Sequence, residues 1–293
     1  MHRIGIDLGG TKTEGIIIAP NGEEIHRVRF TTPQADGYDA ILAAIGQCVN
    51  TLRSRADGPC TIGICTPGTI SSRTGCMKNS NTRCLNGRTL QQDLEQILEQ
   101  AIFLDNDANC FALAESIRGA GKGYQTVFGV IMGTGVGGGI VMQEKIWTGS
   151  DRIAGEWGHH KIHLAGRRCY CGQRGCVETY ISGPALEKHW VELTGQALSL
   201  PAICRAADHP YYQQWKNDFL TWFGIGLANV INILDPEVVI LGGGVSNVSF
   251  LYTEGVTAVH QYVFSDHPVT PVRRNHLGDS AGVIGAAWLG EWS

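Results

Sequence analysis

The sequence predicts an α/β fold in two related halves, and three observations carry the prediction. A strand–glycine–strand unit, IGIDLGGTKTEGIIIA, opens the chain; a second, VFGVIMGTGVGGGIVM, returns at residues 127 to 142; and apolar strands alternate with helices between them. In the first unit Ile4, Ile6 and Leu8 alternate before Gly9-Gly10, and a β-branched run resumes at Ile16. Packed glycines after a strand let backbone N–H groups approach phosphate oxygens with no Cβ in the way. Three such loops, LGGTKTEG, MGTGVGGG and LGGGVS, each follow a β-branched run and together imply a polyphosphate ligand.

The remaining elements follow in order. YDAILAAIGQCVNTLRSR reads as a helix, TIGICTP as a buried strand, LQQDLEQILEQ as a helix, AIFLDN as a strand ending near Leu104, and ANCFALAESIRGA as a helix beginning around Asp107. After residue 150 comes an irregular segment, then helices near SGPALEKHWVELTG and DFLTWFGIGLANVINIL. EVVILGGG forms another buried strand, and the small-residue helix SAGVIGAAWLGEW closes the chain. With no Pro- or Ser-rich linker, the lobe boundary is expected near Gly119 to Gly123. That gives an N-terminal lobe over 1–119 and a C-terminal lobe over 120–293, with the last helix packing back on the first lobe.

Composition narrows the partners. The 293 residues are 43% apolar and 17% charged, enough for a substantial core, and the net charge is −4. No basic footprint marks a nucleic acid or an anionic membrane as a partner, which leaves a small molecule. No apolar run approaches the about 20 residues of a membrane span, and MHRIGIDLGG enters a strand at once, so a cytoplasmic protein is expected. The P-loop pattern is missing, because Gly121-Lys122 is followed by glycine. Gly133, Gly135 and Gly138 satisfy GxGxxG, but GGGIVM continues as a strand where a dinucleotide fingerprint must open a helix.

Two constellations carry chemistry. Asp107 lies at a helix N-terminus, where the dipole and free N–H groups favour a carboxylate. Phosphoryl transfer to a hydroxyl needs such a group to take the proton, with N–H groups and a metal ion to hold the polyphosphate. Asp7, before the first glycine turn, is placed to act through Mg²⁺ or its waters, and Asp105 is the rival base. The second constellation is CYCGQRGCVE at 169 to 178. A Cys169–Cys171 disulfide would be strained, and thiols of this density read instead as metal ligands. Zinc takes four ligands, and GEWGHHKIH offers His159, His160 and His163 beside Cys169, Cys171 and Cys176. A closed Cys₃His site is structural: it would fix the loop and hold Glu156 and Glu178 as acceptors for a ligand rich in hydroxyls, such as a sugar. The other seven of the ten cysteines read as small buried hydrophobes.

DLGGTKTE at 7 to 14, NDAN at 106 to 109, GTGVGGG at 133 to 139, GEWGH at 155 to 159 and CYCGQRGCVE together resemble the ROK family of bacterial sugar kinases and repressors, over essentially the full chain. The resemblance implies a two-lobed actin-like ATPase (ribonuclease H-like) fold with a zinc-ordered loop, ATP and sugar in the cleft, and a homodimer. It makes Asp107 the base that activates the 6-hydroxyl, with Gly68, Asn81, Asn106, Glu156, His159 and Glu178 binding the sugar. It selects His159 as the fourth zinc ligand. It assigns Asp7, Gly9, Gly10, Thr11, Lys12, Gly133, Thr134 and Gly135 to the phosphates and Mg²⁺, and Gly243 and Gly244 to the adenosine. KNSNTRCLNG, CYCGQRGCVETYISG, NILDPEVVILGGGVSN and HLGDSAGVIGAAWL look most like the fructokinase or mannokinase branch, implying D-fructose, with mannose or glucose as further acceptors. DNDANCFALAE and GTGVGGG also look like the N-acetylglucosamine kinases, the alternative substrate class. A sugar-responsive transcriptional regulator is the alternative of another kind, but relatives of that kind add a DNA-binding domain, and here the first phosphate strand begins near residue 3.

Overall fold

The computed structural model describes residues 1–291, with Trp292, the end of the predicted closing helix, outside the described residues. The first half contains β1 (His2–Leu8), β2 (Lys12–Ile18), β3 (Glu24–Thr31), α1 (Tyr38–Arg53), β4 (Cys60–Thr66), the short hairpin β5 (Thr69–Ile70) and β6 (Met77–Lys78), α2 (Leu90–Leu98), β7 (Phe103–Asn106) and α3 (Asp107–Arg118). The second contains β8 (Thr126–Met132), β9 (Val136–Met142), β10 (Lys145–Ile146), α4 (Glu178–Ile181), α5 (Gly183–Thr194), α6 (Leu200–Arg205), α7 (Tyr212–Leu234), β11 (Val238–Gly242), α8 (Glu254–His260), β12 (Val272–Arg274) and α9 (Ala281–Trp288).

Two five-stranded sheets have the same plan, ordered β3-β2-β1-β4-β7 and β10-β9-β8-β11-β12. In each, an antiparallel hairpin is followed by parallel additions at one edge. The parallel strands β4 and β11 are buried almost throughout, as continuous apolar runs require. Parallel pairing aligns carboxyl ends: Asp7 lies beside Cys65, Thr66 beside Asn106, and Gly242 beside Ile131. The loops that follow are therefore delivered to one place, where ligands of open α/β sheets bind.

Ile4, Ile6, Ile62, Ile64 and Leu104 meet the apolar faces of α1 and α2 in one core. Trp190, Trp215, Phe219 and Phe223 anchor another under the second sheet. Between the sheets, Phe111 and Leu113 of α3 share a third core with Val283 and Trp288 of α9. The small residues of α9 have a steric reason. A Cβ on Gly5 would meet the backbone at Val283 and Ala287, one on Gly63 the backbone of Ala286, and one on Gly285 the backbone of Cys110.

Several elements differ from the sequence reading. β7 runs on to Asn106 instead of ending at Leu104. β3 carries charges along a largely exposed edge, so it lacks the period-two apolar signal. The short elements β5, β6, β12, α6 and α8 offer too few residues for a period to register. Of the seven isolated cysteines, Cys48, Cys60, Cys65 and Cys110 are buried as expected, whereas Cys76, Cys84 and Cys204 are only half-buried.

Candidate active site

Asp107 stands where β7 turns into α3. The cap of that helix is Asn106, whose side chain accepts the Asn109 N–H at 2.8 Å, so Asp107 is the first helical residue and is not spent on capping. Its Oδ1 accepts its neighbour's N–H, that of Ala108, at 2.8 Å. Asp105 is buried, with Oδ1 bound by the Asn106 N–H and the Asn109 side-chain amide, each at 2.8 Å. It lines a separate cavity with Arg152 and Lys145.

Three cavities meet around Asp107 and the glycine loops. The first, about 310 Å³, is lined by Gly68, Asn81, Asn106, Asp107, Glu156, His159 and Glu178 with Gly133, Thr134 and Gly135. The second, about 320 Å³, holds Asp7, Asp107, Gly243, Gly244, Asn275 and Asp279. The third, about 720 Å³, is lined by Gly133, Thr134 and Gly244 together with Pro184, Tyr212 and Phe250. Asp107 belongs to the first two, Gly133 and Thr134 to the first and third, and Gly244 to the second and third, so the cavities form one continuous groove. Two glycines there are required by the backbone. Gly68 has φ +106 with Ser80 against the place of its Cβ, and Gly243 has φ +77 with Met132 there. Gly9, Gly10, Thr11 and Lys12 form the β1–β2 turn but line none of these cavities; the Lys12 ammonium lies 3.4 Å from Glu14.

The acids repel one another. Asp107 opens onto a cleft that water enters, yet the cleft walls withdraw it from bulk solvent. Burial pushes its carboxyl up, the Glu156 charge adds to this, and the Ala108 N–H opposes it. The helix N-terminus therefore does not dominate, contrary to the sequence reading. Burial pushes Asp7 up to about 6, helped by the charges of Asp107 and Glu14 and opposed by the Cys65 thiol. Among the described residues no lysine or arginine lines the second cavity, and hard oxygen donors gathered without a cation are the donor set that suits Mg²⁺.

His159, Cys169, Cys171 and Cys176 place one ligand atom each within 4.8 Å of one another. Zinc–sulfur bonds of about 2.3 Å and zinc–nitrogen bonds of about 2.0 Å at tetrahedral angles put two sulfurs about 3.8 Å apart and a sulfur and a nitrogen about 3.5 Å apart. Here Cys171 Sγ lies 3.7 Å from Cys176 Sγ, and Cys169 Sγ lies 3.6 Å from His159 Nδ1. The four could hold a zinc ion. His160 turns instead to Asn229, at 3.0 Å, and His163 stands outside the cluster. Two residues past Cys176, Glu178 Oε2 accepts the Val136 N–H at 2.9 Å, joining the cysteine loop to the start of β9.

The sequence reading did not single out Thr69, Asn79 or Tyr170, all of which line the first cavity. Tyr170 is 79% exposed, and its hydroxyl lies 3.1 Å from His159 Nε2. Its position between Cys169 and Cys171 was the signal available: two candidate metal ligands flank it. Asn79, in the left-handed region at φ +59, carried no local mark.

An N-acetyl-D-glucosamine kinase of Histophilus somni is 34% identical to this chain, covering 97% of it and 97% of that protein. Among solved structures, a ROK hexokinase from Thermus thermophilus superposes with a TM-score of 0.89 at 30% identity, covering 99% of this chain and 97% of that one. A ROK glucokinase from Streptomyces griseus, in complex with glucose and AMPPNP, does so with a TM-score of 0.78 at 28% identity over 98% of each chain. The ROK family model matches residues 3–291, and with these relatives it shows that the chain belongs to the ROK family, as an ATP-dependent sugar kinase of the actin-like α/β fold.

Proposed function

We propose that the chain transfers the γ-phosphoryl group of ATP to the 6-hydroxyl of an N-acetylhexosamine, with N-acetylglucosamine as the preferred acceptor. The observation that carries the reaction is the position of Asp107, shared between the polar first cavity and the acid-lined second one. Sugar occupies the first, with Asn81, Asn106, Glu156, His159 and Glu178 as hydroxyl partners; phosphates and Mg²⁺ occupy the second; adenosine occupies the third beside Gly244. Asp107 draws the proton from the hydroxyl as its oxygen attacks the γ-phosphorus in line and ADP leaves. Mg²⁺ would supply charge neutralisation of the phosphates, and Asp7 and Asp279 would hold it or its waters. Zinc held by the Cys₃His cluster would order the loop that leads to Glu178, and a homodimer belongs to the same proposal, open to sedimentation.

The relative's name favours N-acetylglucosamine over the D-fructose expected from the sequence resemblance. Apolar contact for an acetamido methyl is present at Ile131, Val136 and the Tyr170 ring, in a cavity otherwise rich in amides and carboxylates. A coupled assay with ATP and a panel of N-acetylglucosamine, N-acetylgalactosamine, glucose, mannose and fructose tests the choice. The highest kcat/KM is expected for N-acetylglucosamine; a preference for fructose would restore the first expectation, and no turnover with any sugar would defeat both.

A further inference from the structure

Glu115 lies two turns beyond Asp107 on α3 and has no exposed surface. A buried carboxylate is costly unless its lone pairs are met. Among the described residues no cationic side chain pairs with Glu115; main-chain donors meet it instead. Oε2 accepts the Ala120 N–H at 2.8 Å, Oε1 accepts the Leu277 N–H at 2.8 Å, and the His276 N–H lies 3.0 and 3.1 Å from the two oxygens. One side chain thus clamps the segment after β12 onto the far end of the helix whose first residue is Asp107.

That segment faces the groove. Asn275 donates through its backbone and side-chain nitrogens to the Leu241 carbonyl, at 3.0 and 2.9 Å, and its Oδ1 accepts the Gly278 N–H at 3.0 Å. Asn275, Gly278 and Asp279 line the second cavity opposite Asp7 and Asp107. Three residues later, a Cβ on Gly282 would lie 2.7 Å from the Asp7 carboxylate. Glu115, which lines none of the three cavities, thus ties the wall at 275–279 to the helix that carries Asp107.

We infer that Glu115 is a positioning residue for the nucleotide phosphates, tying the loop that borders them to the helix that presents the base. This rests on the assignment of the second cavity to the phosphates. Charged hydrogen bonds to adjacent N–H groups hold a loop more tightly than neutral ones. A glutamine in that place turns an NH₂ group toward two donors, so the loop moves while α3 stays.

The test is calorimetry of wild type and Glu115→Gln with Mg·ADP, adenosine and N-acetylglucosamine, with steady-state kinetics on the same preparations. The dissociation constant for Mg·ADP and the KM for ATP are expected to rise by about tenfold or more, while adenosine and sugar binding stay within about twofold. A general loosening of the fold would weaken all three ligands together, and unchanged Mg·ADP binding would leave Glu115 a structural residue only; either result overturns the inference. If Glu115→Gln does not fold, Glu115→Asp keeps the charge on a shorter stem, and the same selective loss for Mg·ADP is required of it. A wild type that binds no Mg·ADP would defeat the parent assignment instead.

Discussion

Asp107 is free to act because Asn106 caps the helix in its place. Replacing Asp107 by Asn keeps the shape and removes the proton acceptor, so kcat is expected to fall by about 10²–10⁴-fold with KM for ATP little changed. A near-wild-type kcat in that variant would remove Asp107 from the role. Asp105 is placed elsewhere: it lines the separate cavity beside Arg152 and neither of the two cavities that share Asp107. At this scale the sequence singled out Asp107 and the three clustered cysteines, the positions where the proposed chemistry demands a residue type. It was silent on Asn79 and Glu115, because a left-handed asparagine and a buried carboxylate look in one dimension like any loop or helix residue.

Among the elements, the cysteine loop is the one that a metal at the Cys₃His cluster would steady most. It has almost no regular structure between Trp157–His159 and α4, and it supplies His159, Tyr170 and Glu178 to the first cavity. Chelation, or Cys171→Ser, is expected to abolish bound zinc and to raise KM for the sugar roughly tenfold, with a smaller effect on KM for ATP. Metal analysis alongside kinetics checks this; full sugar affinity in zinc-free protein would show that the loop holds itself. The hairpins β1–β2 and β8–β9 were legible because apolar alternation stops at glycines in both. β3 was not, because its burial is one-sided and its sequence is dominated by charge.

For the molecule as a whole, the gathering of acids at the groove works against stability. The folded-state pKa of Asp7, about 6, stands above the ordinary carboxylate value, so the native state holds that proton more tightly than the unfolded chain does. The stabilisation from this proton is present below the unfolded value and is lost as pH rises through about 6. At pH 7.5 the ionised group is a burden, and Asp7→Asn is expected to stabilise the metal-free, ligand-free protein by on the order of 1 kcal/mol, with the gap closing near pH 4. Thermal melts of both proteins at the two pH values measure it; an Asp7→Asn protein less stable at pH 7.5 would reverse the sign. The duplicated plan was legible from the two glycine hairpins, whereas the pairing of β12 with β11 was not, since three residues carry no periodic signal.

The seam where α9 threads between the first sheet and α3 leaves no room for a side chain at Gly5, Gly63 or Gly285. One added methyl at any of them would wedge the halves apart and carry Asp7 away from Asp107. The rim of the first cavity, where Asn81 and Tyr170 stand exposed, carries no such restriction. Under the proposed function, acceptor preference can therefore be altered by substitution at the rim, while the packed axis that aligns Asp7 with Asp107 accepts no added methyl.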